Sequence, residues 1–293
     1  MKRRRLLVGL ALFPALLVVV LFTTWLTRET CACWPKKSPL DRMVEAFGFA
    51  KKNSNADYSA ELATAQKRLR VLYVTQSKGF RHASLHESEE CLETLGAKNG
   101  FDVTITQMSE RYISTEGLKN YDAVVFYTTG ELPLSDAQKT ALLDFVKGGK
   151  FFLGLHSATD TFYKWPEYGQ LIGGYFNKHP WTQDTEVTLK TEDKSHPVSR
   201  HLPDGWSMKE EIYQIRNFIG RDKTHVLVSL DQSKTDMNKP GVEAKDFPLV
   251  WWHDYGKGKV MYNAFGHRSD VWATEWYQTM IVNAIKWGTG QMK

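Results

Sequence analysis

The residues best suited to chemistry in this chain are imidazoles placed at the ends of short apolar runs. Lys150 to Asp160 reads K-F-F-L-G-L-H-S-A-T-D. Phe151, Phe152 and Leu153 make a run too short for a helix, as expected of a strand buried on both faces of a parallel sheet. Gly154 is read as a sharp turn that delivers His156 and Ser157 just past the strand end. In open α/β sheets, ligands bind outside the carboxyl ends of the strands. A hydrogen-bonded turn histidine and a helix-capping serine would give the same pattern. Three more segments end in the same way. His82 follows Val71-Leu72-Tyr73-Val74, Thr128-Thr129-Gly130-Glu131 follows the run from Tyr121 to Tyr127, and His267 follows Val260–Phe265. Imidazoles delivered to one region from remote segments are a stronger signal than any single histidine.

Two chemistries suit such a group. His156 and His267 can act as general acid and base, since an imidazole titrates near neutrality. Alternatively they ligate a divalent metal with help from His82, Glu211 or another carboxylate. Glu211 in E-E-I-Y alternates with Ile212, so its carboxylate can face the site while Ile212 packs in the core. His82 and His86 stand at i, i+4 and would share a helix face as a ligand pair. His179 and His196 each precede a proline and read as turn residues.

The elements that must position these groups follow a β-α-β-α-β-α-β series, which argues for a parallel, helix-flanked sheet. The pattern predicts a helix from His82 to Lys98 with Leu85, Leu92 and Leu95 on one stripe, closed by Gly100. A strand follows over Phe101–Thr106, and a helix over Ser135–Lys147 capped by Ser135. Between Phe162 and Trp181, seven aromatic residues mix with glycine and proline. They read first as a satellite core, with one or two rings also able to line the site. Residues 185–190, 208–218 and 224–230 read as strands. Leu249–His253 and Val260–Phe265 form a hairpin, and Trp272–Trp287 a closing helix.

Composition limits the possible partners. Hydrophobic residues make up 42% and aromatics 13% of 293 residues, enough for a packed core. The net charge of +5 resides at one end. Residues 1–40 hold seven basic side chains and one acid, and the rest is essentially neutral, so nucleic acid is not an expected partner. Lys2, Arg3, Arg4 and Arg5 precede an uncharged span from Leu6 to Leu26, long enough at the helical rise for a bilayer core of about 30 Å. This predicts a membrane segment within residues 1–31, with the N-terminus inside and the domain on the extracytoplasmic, periplasmic side. An uncleaved signal anchor fits better than a cleaved signal peptide, which would instead release a secreted protein. Residues 32–68 read as a linker with short helices around Leu40–Lys51 and Ala56–Lys67, and residues 69–293 as the domain proper. Cys31, Cys33 and Cys91 support neither a disulfide framework nor a cysteine zinc site.

Several short stretches carry a resemblance when taken together. They are Gly79-Phe80-Arg81-His82, Gly154-Leu155-His156-Ser157-Ala158, Gly173-Gly174-Tyr175-Phe176, His196-Pro197, Glu210-Glu211-Ile212-Tyr213, Tyr255-Gly256-Lys257-Gly258-Lys259-Val260 and Gly266-His267. From about residue 69 to 288 the chain resembles the ThuA-like (trehalose-utilisation) family of the class I glutamine-amidotransferase-like superfamily. The resemblance implies a flavodoxin-like three-layer α/β sandwich with a mainly parallel sheet and a C-terminal hairpin. It also implies that the turn after the fourth strand is the place of a cysteine nucleophile in a Gly-x-Cys elbow. That slot reads Gly154-Leu155-His156 here, and His267 lies where the activating histidine would fall. Without a thiolate, glutamine hydrolysis through a thioester is excluded. Ser157 is one residue off the elbow and ranks below His156 as a nucleophile.

The expected function is therefore an extracytoplasmic, carbohydrate-related enzyme using histidine acid–base chemistry on a sugar or oxidised-sugar substrate. His156, His267 and Glu211 are the expected catalytic set, and His82, Ser157, Thr129 and Trp181 the substrate-binding residues. A non-catalytic sugar-binding module and a metal-dependent hydrolase are the alternatives. Three imidazole or carboxylate groups around one point would favour the metal.

Overall fold

The structure, a computed structural model, describes residues 68–293. The expected membrane segment, all but the last residue of the linker with its two helices, and Cys31 and Cys33 lie outside the described residues. Among the described residues no helix is long and apolar enough to cross a membrane.

The apolar runs form the strands expected of them. β1 (Leu69–Val74), β2 (Phe101–Thr106), β3 (Ala123–Phe126) and β4 (Phe151–Leu155) are the first four. β3 and β4 are buried along their whole length because helices cover both faces of the sheet. α1 (Leu85–Asn99) buries Leu85, Leu92 and Leu95, and ends at Gly100 in the left-handed conformation (φ 85°). Short helices α2 (Ser109–Tyr112) and α3 (Thr115–Leu118) lead into β3. α4 (Asp136–Lys147) starts in a capping box, in which Ser135 and Gln138 satisfy each other's backbone N–H groups. α5 (Pro166–Ile172) follows β4, and α6 (Glu275–Gly288) closes the chain.

The remaining strands are β5 (Tyr175–Trp181), β6 (Glu186–Thr191), β7 (Gly205–Lys209), β8 (Ile212–Arg216), β9 (His225–Leu230), β10 (Pro248–Tyr255) and β11 (Gly258–Asn263). The main sheet has the order β2-β1-β3-β4-β11-β10-β9-β6-β7. Its first five strands run parallel, which makes the flavodoxin-like core, and the rest pair antiparallel. The C-terminal hairpin thus lies inside the sheet and joins its two halves. β5 and β8 form a separate two-stranded antiparallel sheet. The aromatic segment is a satellite core as first read: Phe162, Trp165, Tyr168, Tyr175 and Trp181 are all buried.

Three local expectations are corrected. Gly154 is not a turn but a strand residue, paired with Tyr262 and Phe126. A Cβ there would stand 2.8 Å from Ile172 Cδ1, so the missing side chain lets α5 pack onto β4. The chain turns instead at His156, whose φ is 40°. His82 precedes α1 and shares no helix face with His86, which is exposed beside Glu90. The strand expected over 208–218 breaks at Glu210–Glu211, with β7 before the break in the main sheet and β8 after it in the small one.

Register places the site. Leu155 at the end of β4 is level with Asn263 at the end of β11, so His156 and Ala264 leave the sheet side by side.

Candidate functional site

His156 stands at the end of β4, fully buried. Its Nδ1 lies 2.8 Å from the Ala264 carbonyl, which only accepts, so Nδ1 carries the proton. The lone pair on Nε2 is thereby turned into the cluster, the arrangement that an outer carbonyl imposes on a metal-ligating histidine. Around Nε2 are the Tyr213 hydroxyl at 3.1 Å, His267 Nδ1 at 3.2 Å and Glu211 Oε2 at 3.4 Å. Burial holds the His156 imidazole below its ordinary pKa, although Glu211 opposes this.

His267 is anchored through its backbone. The Gly266 carbonyl accepts from Ser84 Oγ, the Tyr127 hydroxyl and Trp272 Nε1 at 2.9–3.0 Å. Glu210 Oε1 accepts the N–H groups of Gly266 and His267 at 2.8 and 2.7 Å. Gly266 has φ 112°, and a Cβ there would meet the Tyr277 hydroxyl at 2.8 Å, so only glycine fits. The His267 ring then lies between Glu211 Oε2, 3.0 Å from Nδ1, and Gln183 Oε1, 3.1 Å from Nε2. Burial pushes its pKa down, but the hydrogen bond and charge of Glu211 outweigh that and leave it raised.

Glu211 enters through the break between β7 and β8. Oε2 serves His156 and His267, while Oε1 lies 3.3 Å from His179 Nδ1. Burial alone would raise its pKa; the neighbouring His156 and His267 imidazoles prevail and hold it well below the carboxylate range.

His82 completes the group, its ring centroid 4.8 Å from that of His156 and 5.1 Å from that of His267. Thr129 holds the loop that carries it: Oγ1 accepts from Gly79 N–H and donates to the Phe80 carbonyl. Burial, then the neighbouring imidazoles, push the His82 pKa down to about 2. Its buried Nδ1 has no partner. The Phe80 ring packs edge-on against His82 and is 65% exposed at the rim.

The structure therefore brings together His82, His156, Glu211 and His267, each offering one ligand atom, with all four atoms within 4.8 Å of one another. Ligand atoms around a tetrahedral ion at about 2.0–2.1 Å stand roughly 3.3 Å apart. The separations among His156, His267 and Glu211 are already 3.0–3.4 Å. Three imidazoles and a carboxylate are a donor set for a divalent transition ion rather than for magnesium or calcium.

The other expected site residues lie elsewhere or act differently. Thr129 positions a loop. Ser157 is fully buried, and its Oγ makes no hydrogen bond. Trp181 presents no ring face: it is fully buried edge-on to Phe247, and its indole N–H donates to the Asp236 carbonyl. His196 is a turn residue as read, its Nδ1 accepting from Val198 N–H. His179 is not, because it lies within β5 and touches Glu211.

Glu210 and Tyr213 belong to a stretch that carries the resemblance, but the sequence reading gave neither a place in the site. Tyr213 was within reach of strand alternation, being two residues after Glu211. The elbow slot still turns sharply at His156, but with an imidazole where the resemblance places a thiol. Cys91, the only cysteine among the described residues, is buried, with its thiol on the Trp272 carbonyl.

Comparison with known proteins agrees with this architecture. Among solved structures, a ThuA-like protein from Bacteroides uniformis is similar at 22% identity and TM-score 0.65, over 83% of this chain and 97% of its own. One from Parabacteroides merdae is similar at 18% identity and TM-score 0.59, over 77% and 91%. A cytoplasmic protein from Salmonella typhimurium shares the fold at 14% identity and TM-score 0.52, over 75% and 98%. No curated protein matches the sequence. The family model described as trehalose utilisation matches residues 70–288, and the chain belongs to that ThuA family.

Proposed function

We propose that this ThuA-family protein is a metal-dependent enzyme acting on a sugar or oxidised-sugar substrate, with His82, His156, Glu211 and His267 holding one divalent transition cation. The observation that carries the reading is the convergence of four ligand atoms from four remote segments within 4.8 Å. Two further features support it. The Ala264 carbonyl fixes His156 in the ligating tautomer, and His82 keeps a buried nitrogen without a partner. Four protein ligands would close a tetrahedral site, so binding a substrate at the ion would require one that takes five or six ligands. Such an ion supplies Lewis-acid polarisation or a bound water of lowered pKa. The chain's own groups orient the ligands and exclude solvent from all but the rim, where Phe80 and His179 are exposed.

A metal-free acid–base pair is the second reading. It draws on the opposite pKa displacements of His156 and His267, which stand within hydrogen-bond reach. A binding module without chemistry needs no such pair.

Metal analysis of the purified protein separates these readings. About one transition ion per chain is expected, falling below roughly a tenth in His156→Ala and His267→Ala, as when two of four ligands are tested singly. If the wild-type chain contains no transition ion and takes up none when offered zinc, manganese, cobalt, nickel or iron, the metal reading fails and the acid–base pair takes its place. Location belongs to the same proposal: the N-terminal segment anchors the domain on the extracytoplasmic side.

A further inference from the structure

The hydroxyl of Tyr213 has a position that the four ligands do not explain. Tyr213 lies on β8, two residues after Glu211, and its hydroxyl and the Glu211 carboxylate both reach His156 Nε2, at 3.1 and 3.4 Å. Its ring is wedged between His156 (centroids 4.6 Å apart) and Phe176 (4.3 Å), and only 4% of the residue is exposed. The hydroxyl makes a single hydrogen bond among the described residues, to His156 Nε2 at 3.1 Å. Because His156 Nδ1 donates to the Ala264 carbonyl, Nε2 is an acceptor and the phenol must be the donor.

That same lone pair is the one a cation would take. Once Nε2 is bound to an ion, the phenol loses its only acceptor while remaining buried, and a buried donor is costly to leave unpaired. The protein offers no ready substitute. Glu211 Oε2, 3.0 Å from His267 Nδ1, would itself be taken up by the cation, and Oε1 faces His179. An oxygen of a molecule bound to a cation held by His156 would give the phenol a new acceptor.

Resting on the metal reading, we infer that Tyr213 is the hydrogen-bond donor to a substrate oxygen bound at the cation. Metal binding thus changes the phenol from a partner of His156 into an electrophilic group, which requires a substrate that presents a carbonyl or alkoxide oxygen to the ion. Preorganised donors aimed at such an oxygen are a large source of transition-state stabilisation. The hydroxyl needs only to rotate for this, since its ring is already locked on both faces.

The test uses the cobalt-loaded full-length protein with acetohydroxamate, whose oxygens bind a metal and accept hydrogen bonds. Cobalt uptake by the wild-type chain is measured first, with zinc, manganese, nickel and iron alongside; uptake of none of them overturns the metal reading and this inference with it. With cobalt bound, Tyr213→Phe is expected to keep stoichiometric metal and its visible spectrum, but to bind acetohydroxamate about 10- to 100-fold more weakly, the range for a hydrogen bond to a charged group. Tyr73→Phe, which loses a buried hydroxyl contact from β1 to Ser88 on α1, elements that carry no proposed ligand, should bind the probe as the wild type does. Unchanged acetohydroxamate affinity in Tyr213→Phe overturns the assignment. So does loss of cobalt in that variant, which would make the phenol a prop of the ligand set rather than a donor to substrate.

Discussion

Adjacent carboxylates in Glu210-Glu211 have opposite electrostatic fates, and the difference comes from what each one faces. Glu211 faces imidazoles and is held as a carboxylate. Glu210 faces backbone N–H groups in a fully buried niche, its Oε2 without a partner, and burial raises its pKa to about 7 against the two N–H bonds that lower it. Folding therefore favours the protonated form of Glu210. Its contribution is fully present below about pH 4.5, the unfolded value, and is lost as pH rises through about 7. The metal-free protein should lose up to roughly 3 kcal/mol of stability between those limits through this group. Glu210→Gln keeps an acceptor for Gly266 and His267 but cannot ionise, so urea midpoints measured across that range should flatten. A profile as steep as that of the wild type would mean that another group is responsible. At this scale the sequence was partly legible. Glu211 was found by alternation and His156 by its place after an apolar run. His179 was misread because a following proline looks like a turn signal, yet here it lies in a short strand of a two-stranded sheet. Trp181 was misread because an aromatic near a site resembles a sugar platform, and only packing shows that both its faces are covered.

Among the elements, the parallel core was the most legible part, since strands buried on both faces have continuous apolar runs that need no tertiary information. The starts and breaks of elements were harder. Helical periodicity carried back to His82, but Leu85 is the first helical residue, and His82 belongs to a loop whose shape is set by Thr129 from the neighbouring strand end. Nothing local in the sequence signals that long-range pin. It has a measurable consequence: Thr129→Val keeps the side-chain volume but removes the acceptor for Gly79 and the donor to Phe80. Both bonds are part-buried, so water can replace them, and each is worth about 0.5–1.5 kcal/mol; without them the loop can move, taking His82 with it. Metal affinity is therefore expected to fall roughly 10-fold or more in a titration, with a lesser change in the melting temperature. Unaltered affinity would show that His82 does not depend on this pin. The break at Glu210–Glu211 was equally hidden, because residues on both sides have strand-like composition and only the choice of two different sheets separates them.

Across the whole molecule, the insertion of the C-terminal hairpin between β4 and the antiparallel strands connects fold to site. It sets β11 beside β4 and so brings His267 to His156 across 111 residues of sequence. The parallel, helix-flanked frame was legible from the order of the elements, whereas the nine-stranded extent of the sheet was not, because antiparallel pairing of β6, β7 and β9 leaves no long-range mark in their patterns. The charge distribution bears on a different property. The first forty residues carry a net charge of +6, ahead of and behind an apolar span of bilayer length, and the remainder is close to neutral at −1. A neutral domain has little electrostatic attraction to an anionic membrane surface, so any attachment must come from the span itself. The full-length chain should then sediment with membranes and resist extraction at alkaline pH or high salt. Removal of residues 1–31 should move it to the soluble fraction with its metal content unchanged, because every proposed ligand lies at or after residue 82. A truncated chain that still sediments with membranes would place the attachment on the folded domain and remove the apolar span from that role.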